Sequence, residues 1–179
     1  ATEWWEGSMT ATAVPPTPTP AFPAWWSGEM SQDEEGHWWP PAEVADMVEE
    51  DYRTYLEEFD TLVMADDLDG IIERLPHWYS DESLETHIAR FDAVRTGDLT
   101  LGYTEWGDLL IQVKEFSEDG LQCTLGMTGL RGTYYEWIEG ELVSQPNSGG
   151  LFRFRMQYDP YDGRWKELEF IDFTPAPES

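Results

Sequence analysis

The sequence has few basic residues and only one cysteine, and both shortages restrict what the chain can do. Its 179 residues include 10 Lys plus Arg against 37 Asp plus Glu, a formal net charge of −27. Because phosphate contacts need clustered Lys and Arg, this composition excludes nucleic-acid binding through charge and disfavours an anionic membrane surface. The lone cysteine, Cys123, cannot form an internal disulfide or a multi-cysteine zinc site.

Long apolar runs are also missing, since no stretch reaches the roughly 18 to 20 residues that cross a bilayer. The 40% hydrophobic and 15% aromatic content still supports one folded core, which excludes global disorder. The negative charge predicts a self-repelling acidic surface with weak Ca²⁺ association. The first residue, Ala1, fits export after removal of a signal peptide, so we expect an extracellular or cell-surface location.

Residues 1–41 differ in composition from the rest, and we interpret them as an extended Pro/Thr/Trp-rich arm. This segment holds seven of the twelve prolines, and residues 12–20 are typical of polyproline II. Six of the ten tryptophans lie there too, although disordered linkers are usually poor in aromatics. Because large apolar side chains gain by burial, we expect docking on the domain, a neighbouring copy, another protein or a glycan. The predicted partner-binding residues are Trp4, Trp5, Phe22, Trp25, Trp26, Trp38 and Trp39.

Residues 42–179 predict an α+β domain, with three helices before a curved antiparallel sheet of about five to six strands. Apolar residues at three- and four-residue steps predict an amphipathic helix over 44–62. A short helical turn over 71–75 should end at Pro76, and a third helix should begin after Ser80. Downstream the apolar period changes to two, which predicts strands, with a loop over 144–150.

The last hairpin allows a prediction of strand register. Apolar side chains can face inward while opposite charges meet outward, and each such charge pair contributes roughly 0.2 to 1 kcal/mol. The predicted pairs are Phe154 with Leu168, Phe152 with Phe170, Arg155 with Glu167, and Arg153 with Glu169.

Three stretches carry a resemblance to a known family: residues 49–62, the run Leu-Gln-Cys-Thr-Leu-Gly-Met at 121–127, and the ending Tyr-Asp-Gly-Arg-Trp-Lys-Glu-Leu-Glu-Phe at 161–170. Together they resemble the nuclear transport factor 2-like, cystatin-like cone fold of exported bacterial proteins with a Thr/Pro-rich tail. The resemblance covers residues 42–173. It implies a helix-covered curved sheet, and this fold hosts enzymes, carriers and interaction domains alike.

Enzymes of this fold, such as ketosteroid isomerases, scytalone dehydratases and SnoaL-like cyclases, use an Asp, or an Asp with His, inside the cone. In this chain, His77 with Asp81 or Asp108 is the candidate dyad. The alternative is that His77 and His87 are ordinary hydrogen-bonded histidines. The possible pocket residues are Tyr52, Tyr55, His77 and Trp106.

Other candidate chemistry is weak, so we predict no catalytic residue, no cofactor and no defined metal site. The acidic residues 66–70 partly match a calcium loop, but with Gly70 as sixth position the twelfth is not Glu. Cys123 alternates with core positions and is predicted to be a small buried hydrophobe.

The sequence therefore favours a non-enzymatic structural or interaction protein. Its arm would dock on a neighbouring subunit or partner, as an accessory subunit in a cell-surface, filamentous or membrane-associated assembly. One alternative is a cone-pocket carrier of a small ligand, or a SnoaL-like or isomerase-like enzyme. Another is glycan binding through exposed tryptophans.

Overall fold

A computed structural model describes residues 22–177 and confirms the predicted α+β class. Three helices precede one five-stranded sheet, and a separate two-stranded sheet precedes the helices. The helices are α1 (Ala42–Met64), α2 (Leu68–Trp78) and α3 (Asp81–Thr96). The strands are β1 (Ser31–Gln32), β2 (Trp38–Trp39), β3 (Gly102–Glu105), β4 (Asp108–Lys114), β5 (Gln122–Ile138), β6 (Glu141–Asp159) and β7 (Arg164–Pro175).

The main sheet is built on the long strands β5 and β6. Its order is β3-β5-β6-β7, and β4 pairs with the first part of β5 beside β3. Every pairing in it is antiparallel. Cys123 lies on β5 in the core, only 1% exposed, which confirms the prediction of a buried cysteine.

Helix α1 buries one apolar stripe against this sheet, as its sequence period predicts. Val44 and Val48 are fully buried, and Tyr52 is nearly so. They share a core cluster with Leu125 of β5 and Met156 of β6. A second cluster joins the end of α1 to α2 and α3, so the helices cover one face of the sheet.

Pro76 does not end its helix, contrary to the sequence prediction, because α2 continues through it to Trp78. Proline removes a single helical hydrogen bond here, near the end of the helix and on its exposed side. Burial of Leu75 and Trp78 on either side of it holds the last turn in place. The helix begins where the Asp67 carboxylate accepts a hydrogen bond from the Gly70 N–H at 2.8 Å.

The loop predicted over residues 144–150 is also wrong, since this stretch lies inside β6. Strands β5 and β6 meet at a tight turn in which Glu139 and Gly140 both have positive φ, 52° and 82°. Pro146 pairs with Thr133 of β5, in a part of β6 that β7 does not reach. A proline is tolerated at such a sheet edge because no neighbouring strand needs its missing N–H.

The register of the last hairpin differs from the prediction by two or three residues. Two irregularities in the β6–β7 ladder, between Arg153 and Phe154 and between Arg155 and Met156, each leave one extra residue on β7 and shift the pairing. Arg155 therefore pairs with Glu169 at 2.9 Å, and Arg153 pairs with Asp172. Glu167, the predicted partner of Arg155, lies on the buried side instead.

Residues 22–41, the described part of the arm, pack against the domain through Trp26. This indole is 6% exposed and lies in the same core cluster as Phe116. Phe22 packs edge-on against it with ring centroids 4.3 Å apart. Gly120 adopts a φ of +71° directly beside the Trp26 ring, where a Cβ would collide with it. Trp26 thus joins this segment to the β4–β5 turn.

Alanine substitutions of Trp26 and its neighbour Trp25 compare a buried tryptophan with an exposed one. Trp26→Ala should lower the free energy of unfolding by roughly 3 to 5 kcal/mol, because it empties a packed core position. Trp25 is 55% exposed, so Trp25→Ala should change stability by less than about 1 kcal/mol. Urea unfolding followed by circular dichroism measures both, and equal effects would show that Trp26 is not a core residue.

Candidate functional site

A cavity of about 490 Å³ lies between the helices and the inner face of the sheet. Helix α1 contributes Tyr52 and Tyr55 to its wall, and α3 contributes His87. Phe154 of β6 and Phe170 of β7 line the opposite side. Phe170 is 54% exposed, so the wall continues to the surface as an aromatic rim. The cavity volume falls in the range of small-ligand sites, roughly 300 to 1,000 Å³.

The structure brings together three of the four predicted pocket residues. Tyr52, Tyr55 and Trp106 line the cavity. His77 does not, because it lies outside at the end of α2, and its Nδ1 is 2.8 Å from Asp162 in the β6–β7 turn. The proposed dyad of His77 with Asp81 or Asp108 is therefore wrong. Aromatic character identified the wall residues, whereas the partner of His77 depends on a turn 85 positions away.

Trp106 reaches the cavity because glycines leave space beneath its ring. A Cβ on Gly129, Gly132 or Gly149 would collide with the indole. Across the sheet, Trp106 packs on Phe152 at a centroid distance of 5.9 Å. The ring therefore packs directly on the backbone of these glycines and forms one wall of the cavity.

Glu167 is the buried charged group of this site, and sequence reasoning missed it. Its side chain is 7% exposed, and its Oε1 accepts a hydrogen bond from the Ser83 hydroxyl at 2.8 Å. Burial raises the pKa of this carboxyl to about 7. A signal for it did exist in the sequence: Glu167, Glu169 and Asp172 are three acids opposite only Arg153 and Arg155, so one acid is left without a partner.

His87 lies beside Glu167 but does not neutralise it. Its Nε2 is 3.9 Å from the Glu167 Oε1, which is too long for a hydrogen bond. The ring stacks on Tyr79 with centroids 3.8 Å apart, and its Nδ1 is buried without a hydrogen-bond partner among residues 22–177. Burial, with Arg90 nearby, lowers the pKa of His87 to about 4, so the imidazole is neutral at pH 7.

Hydroxyl and carboxyl groups complete the polar part of the wall. The Tyr55 and Tyr79 hydroxyls are 2.7 Å apart, and burial raises the pKa of both, which keeps them neutral. Burial, with Glu105 nearby, also raises the pKa of Asp60 to about 7. Glu167 and Asp60 are therefore the groups in this wall that exchange protons near neutral pH.

The remaining predicted arm residues have different environments. Trp39 is 36% exposed, and its indole N–H donates to the Asp33 carboxylate at 2.8 Å. Trp38 is half-buried and forms an isolated bridge with Phe116. Trp4 and Trp5 lie outside the described residues.

Residues 22–177 contain neither a metal-ligand cluster nor a membrane-spanning helix. Within that range no group of three or more His, Cys, Asp or Glu side chains is arranged to hold a metal ion. Among the described helices, none combines the length and apolar character that crossing a bilayer requires.

No protein-family model matches the chain, and no curated protein matches it. Its fold is similar to that in the crystal structure of the intermembrane space region of chloroplast protein ARC6, with a TM-score of 0.55. The two chains are 14% identical, and the match covers 74% of this chain and 97% of that one. This likeness supports an α+β fold of helices on a sheet, and the nuclear transport factor 2-like resemblance stays a prediction.

The Glu167→Gln variant tests the buried carboxyl through the pH dependence of stability. Because folding raises its pKa from 4.5 to about 7, its stabilising contribution is complete below about pH 4.5 and is lost as pH rises through 7. Relative to wild type, the variant should therefore be about 1 to 3 kcal/mol more stable at about pH 8 and nearly equal at about pH 4.5.

The matched control is Glu169→Gln on the same strand, whose side chain is 44% exposed and pairs with Arg155. Urea unfolding at both pH values gives the difference in unfolding free energy between each variant and wild type. If the difference in unfolding free energy between Glu167→Gln and wild type is the same at both pH values, the burial of an ionisable carboxyl is contradicted.

Proposed function

We propose that the chain is a non-enzymatic binding protein whose cavity holds a small, uncharged, largely apolar molecule. One observation carries the proposal: the cavity of about 490 Å³ has aromatic walls from α1, β6 and β7 and a rim that reaches solvent at Phe170. Aromatic walls with a few convergent polar groups are typical of small-ligand sites.

The charges around the cavity disfavour an anionic ligand, and its aromatic walls favour a largely apolar one. Glu167 and Asp60 lie in the wall of a chain with net charge −27, so an anion would meet repulsion there. Arg90 is the basic side chain at the cavity, and it lies 5.8 Å from the centroid of the Phe91 ring on the exposed side of α3. The resemblance to the cone fold supports the same proposal, since carriers are among the proteins that this fold hosts.

Binding of the uncharged dye Nile red tests this function. Phe170→Asp adds a carboxylate to the apolar wall and should weaken dye binding at least about fivefold. The fold should tolerate the change, because the Phe170 side chain is already half exposed.

The control is Tyr161→Asp, which makes the same change at a 69% exposed position in the β6–β7 turn, away from the cavity. Fluorescence titration gives both dissociation constants, with Tyr161→Asp expected to match wild type. Failure of the wild-type protein to bind the dye would overturn the proposed function.

A second candidate is docking of the arm on a neighbouring copy or partner in an extracellular assembly. The observation that favours it is that Trp25 and Trp39 remain 55% and 36% exposed although both lie on a segment anchored to the domain. Exposed tryptophans on an anchored segment suit partner binding, because little conformational entropy is lost when they are covered. Trp26 is not part of this docking surface, because it is packed in the core of its own domain.

Sedimentation of two altered proteins tests the docking candidate. A chain that begins at Phe22 keeps Trp26 and the core but lacks Trp4 and Trp5, and the Trp25→Ala/Trp39→Ala variant keeps the full length. Both should have a lower mass in solution than the intact chain if the arm assembles copies. A monomeric intact chain would contradict self-assembly.

A further inference from the structure

Glu167 retains a hydrogen-bond acceptor that the protein does not use. Ser83 occupies Oε1 at 2.8 Å, and among residues 22–177 no donor hydrogen-bonds to Oε2. The side chain is only 7% exposed and forms part of the cavity wall. Because Glu167 lines the cavity and Oε2 is not sealed from solvent, this oxygen is available to a group inside the cavity.

The neighbours of Glu167 do not supply that donor themselves. On α3, the neutral His87 is too distant at 3.9 Å. The Tyr55 and Tyr79 hydroxyls are 2.7 Å apart, so one donates to the other, and neither forms a hydrogen bond to Glu167. The Tyr52 hydroxyl donates to the Met127 sulfur at 3.7 Å. The unused acceptor is therefore surrounded by groups that already have partners or lie out of reach.

We propose that the cavity selects uncharged aromatic or alicyclic ligands that carry a hydroxyl or an aromatic amine as donor, which binds to the Glu167 carboxylate. This inference rests on the proposed ligand-binding function and specifies the ligand class. The aromatic walls hold the ring system, and the donor forms a hydrogen bond with the unused carboxylate oxygen. A ligand with its own carboxylate is rejected because two anions would face each other in a site removed from water.

Three probes of similar shape separate these contributions: naphthalene, naphthol and naphthoate. Their binding to the full-length protein is measured by displacement of Nile red at about pH 8, above the Glu167 pKa of about 7. Naphthol should bind about tenfold more tightly than naphthalene, and naphthoate at least about tenfold more weakly than naphthol.

The Glu167→Gln variant assigns the preference to this carboxyl. Its amide keeps an oxygen for Ser83 but replaces the charged Oε2 acceptor with an NH2 group, so the naphthol advantage should fall to about twofold or less while naphthalene binding stays unchanged. The Glu169→Gln control should keep the full wild-type preference, since that carboxylate pairs with Arg155 away from the cavity.

Each other outcome overturns a specific statement. If naphthalene and naphthol bind equally, the cavity is a ligand site but Glu167 does not select the ligand. If naphthoate binds most tightly, Arg90 at the rim sets the specificity and the inference is wrong. If no probe and no dye binds, the proposed function fails together with the inference.

Discussion

The apolar stripe of α1 against the inner face of the sheet is the contact on which the rest of the structure depends. The first half of α1 leaves no space against the sheet, because Val44 and Val48 pack on β5 and β6 without exposed surface. Beyond Tyr52 the same helix borders the cavity, with Tyr55 and Phe59 in its wall. One helix thus supplies both the closed core and the open site, and the folding energy of the first half holds the second half in place.

A buried acid in a strongly negative protein is costly, and the structure shows what keeps it there. Glu167 lies opposite the buried Met156, in the register that runs unbroken from the β6–β7 turn. The two irregularities farther along the ladder then pair Arg155 with Glu169 and Arg153 with Asp172. Ser83 compensates one carboxylate oxygen only. A position that lowers stability at neutral pH and lies in a cavity wall is typical of a site kept for binding rather than for folding.

Periodicity predicted what depends on local sequence. The apolar spacing from Val44 onward located α1, the alternation around Cys123 located β5, and bulky aromatic residues identified Tyr52, Tyr55 and Trp106 as cavity residues. Long-range effects could not be predicted in this way. Pro76 continues a helix because Leu75 and Trp78 are buried on either side of it. The register set at the β6–β7 turn places Glu167 opposite Met156, on the buried side.

The arm shows the same limit. Composition predicts that its tryptophans gain by burial, but it does not distinguish a ring packed in its own domain from one that faces a partner. Trp26 has its place because Gly120, far along the chain, leaves room for the indole. Neighbouring Trp25 has no such partner and stays exposed.

The most direct test of the account is nuclear magnetic resonance of the methionine methyl groups during titration with naphthol. Met127 lines the cavity, whereas Met30 packs against the core beside Trp26 and outside the cavity. If the cavity binds naphthol, the Met127 resonance should shift with a saturable dependence on its concentration while the Met30 resonance stays in place. A stationary Met127 resonance, or a shift of Met30 alone, would contradict ligand binding in the cavity.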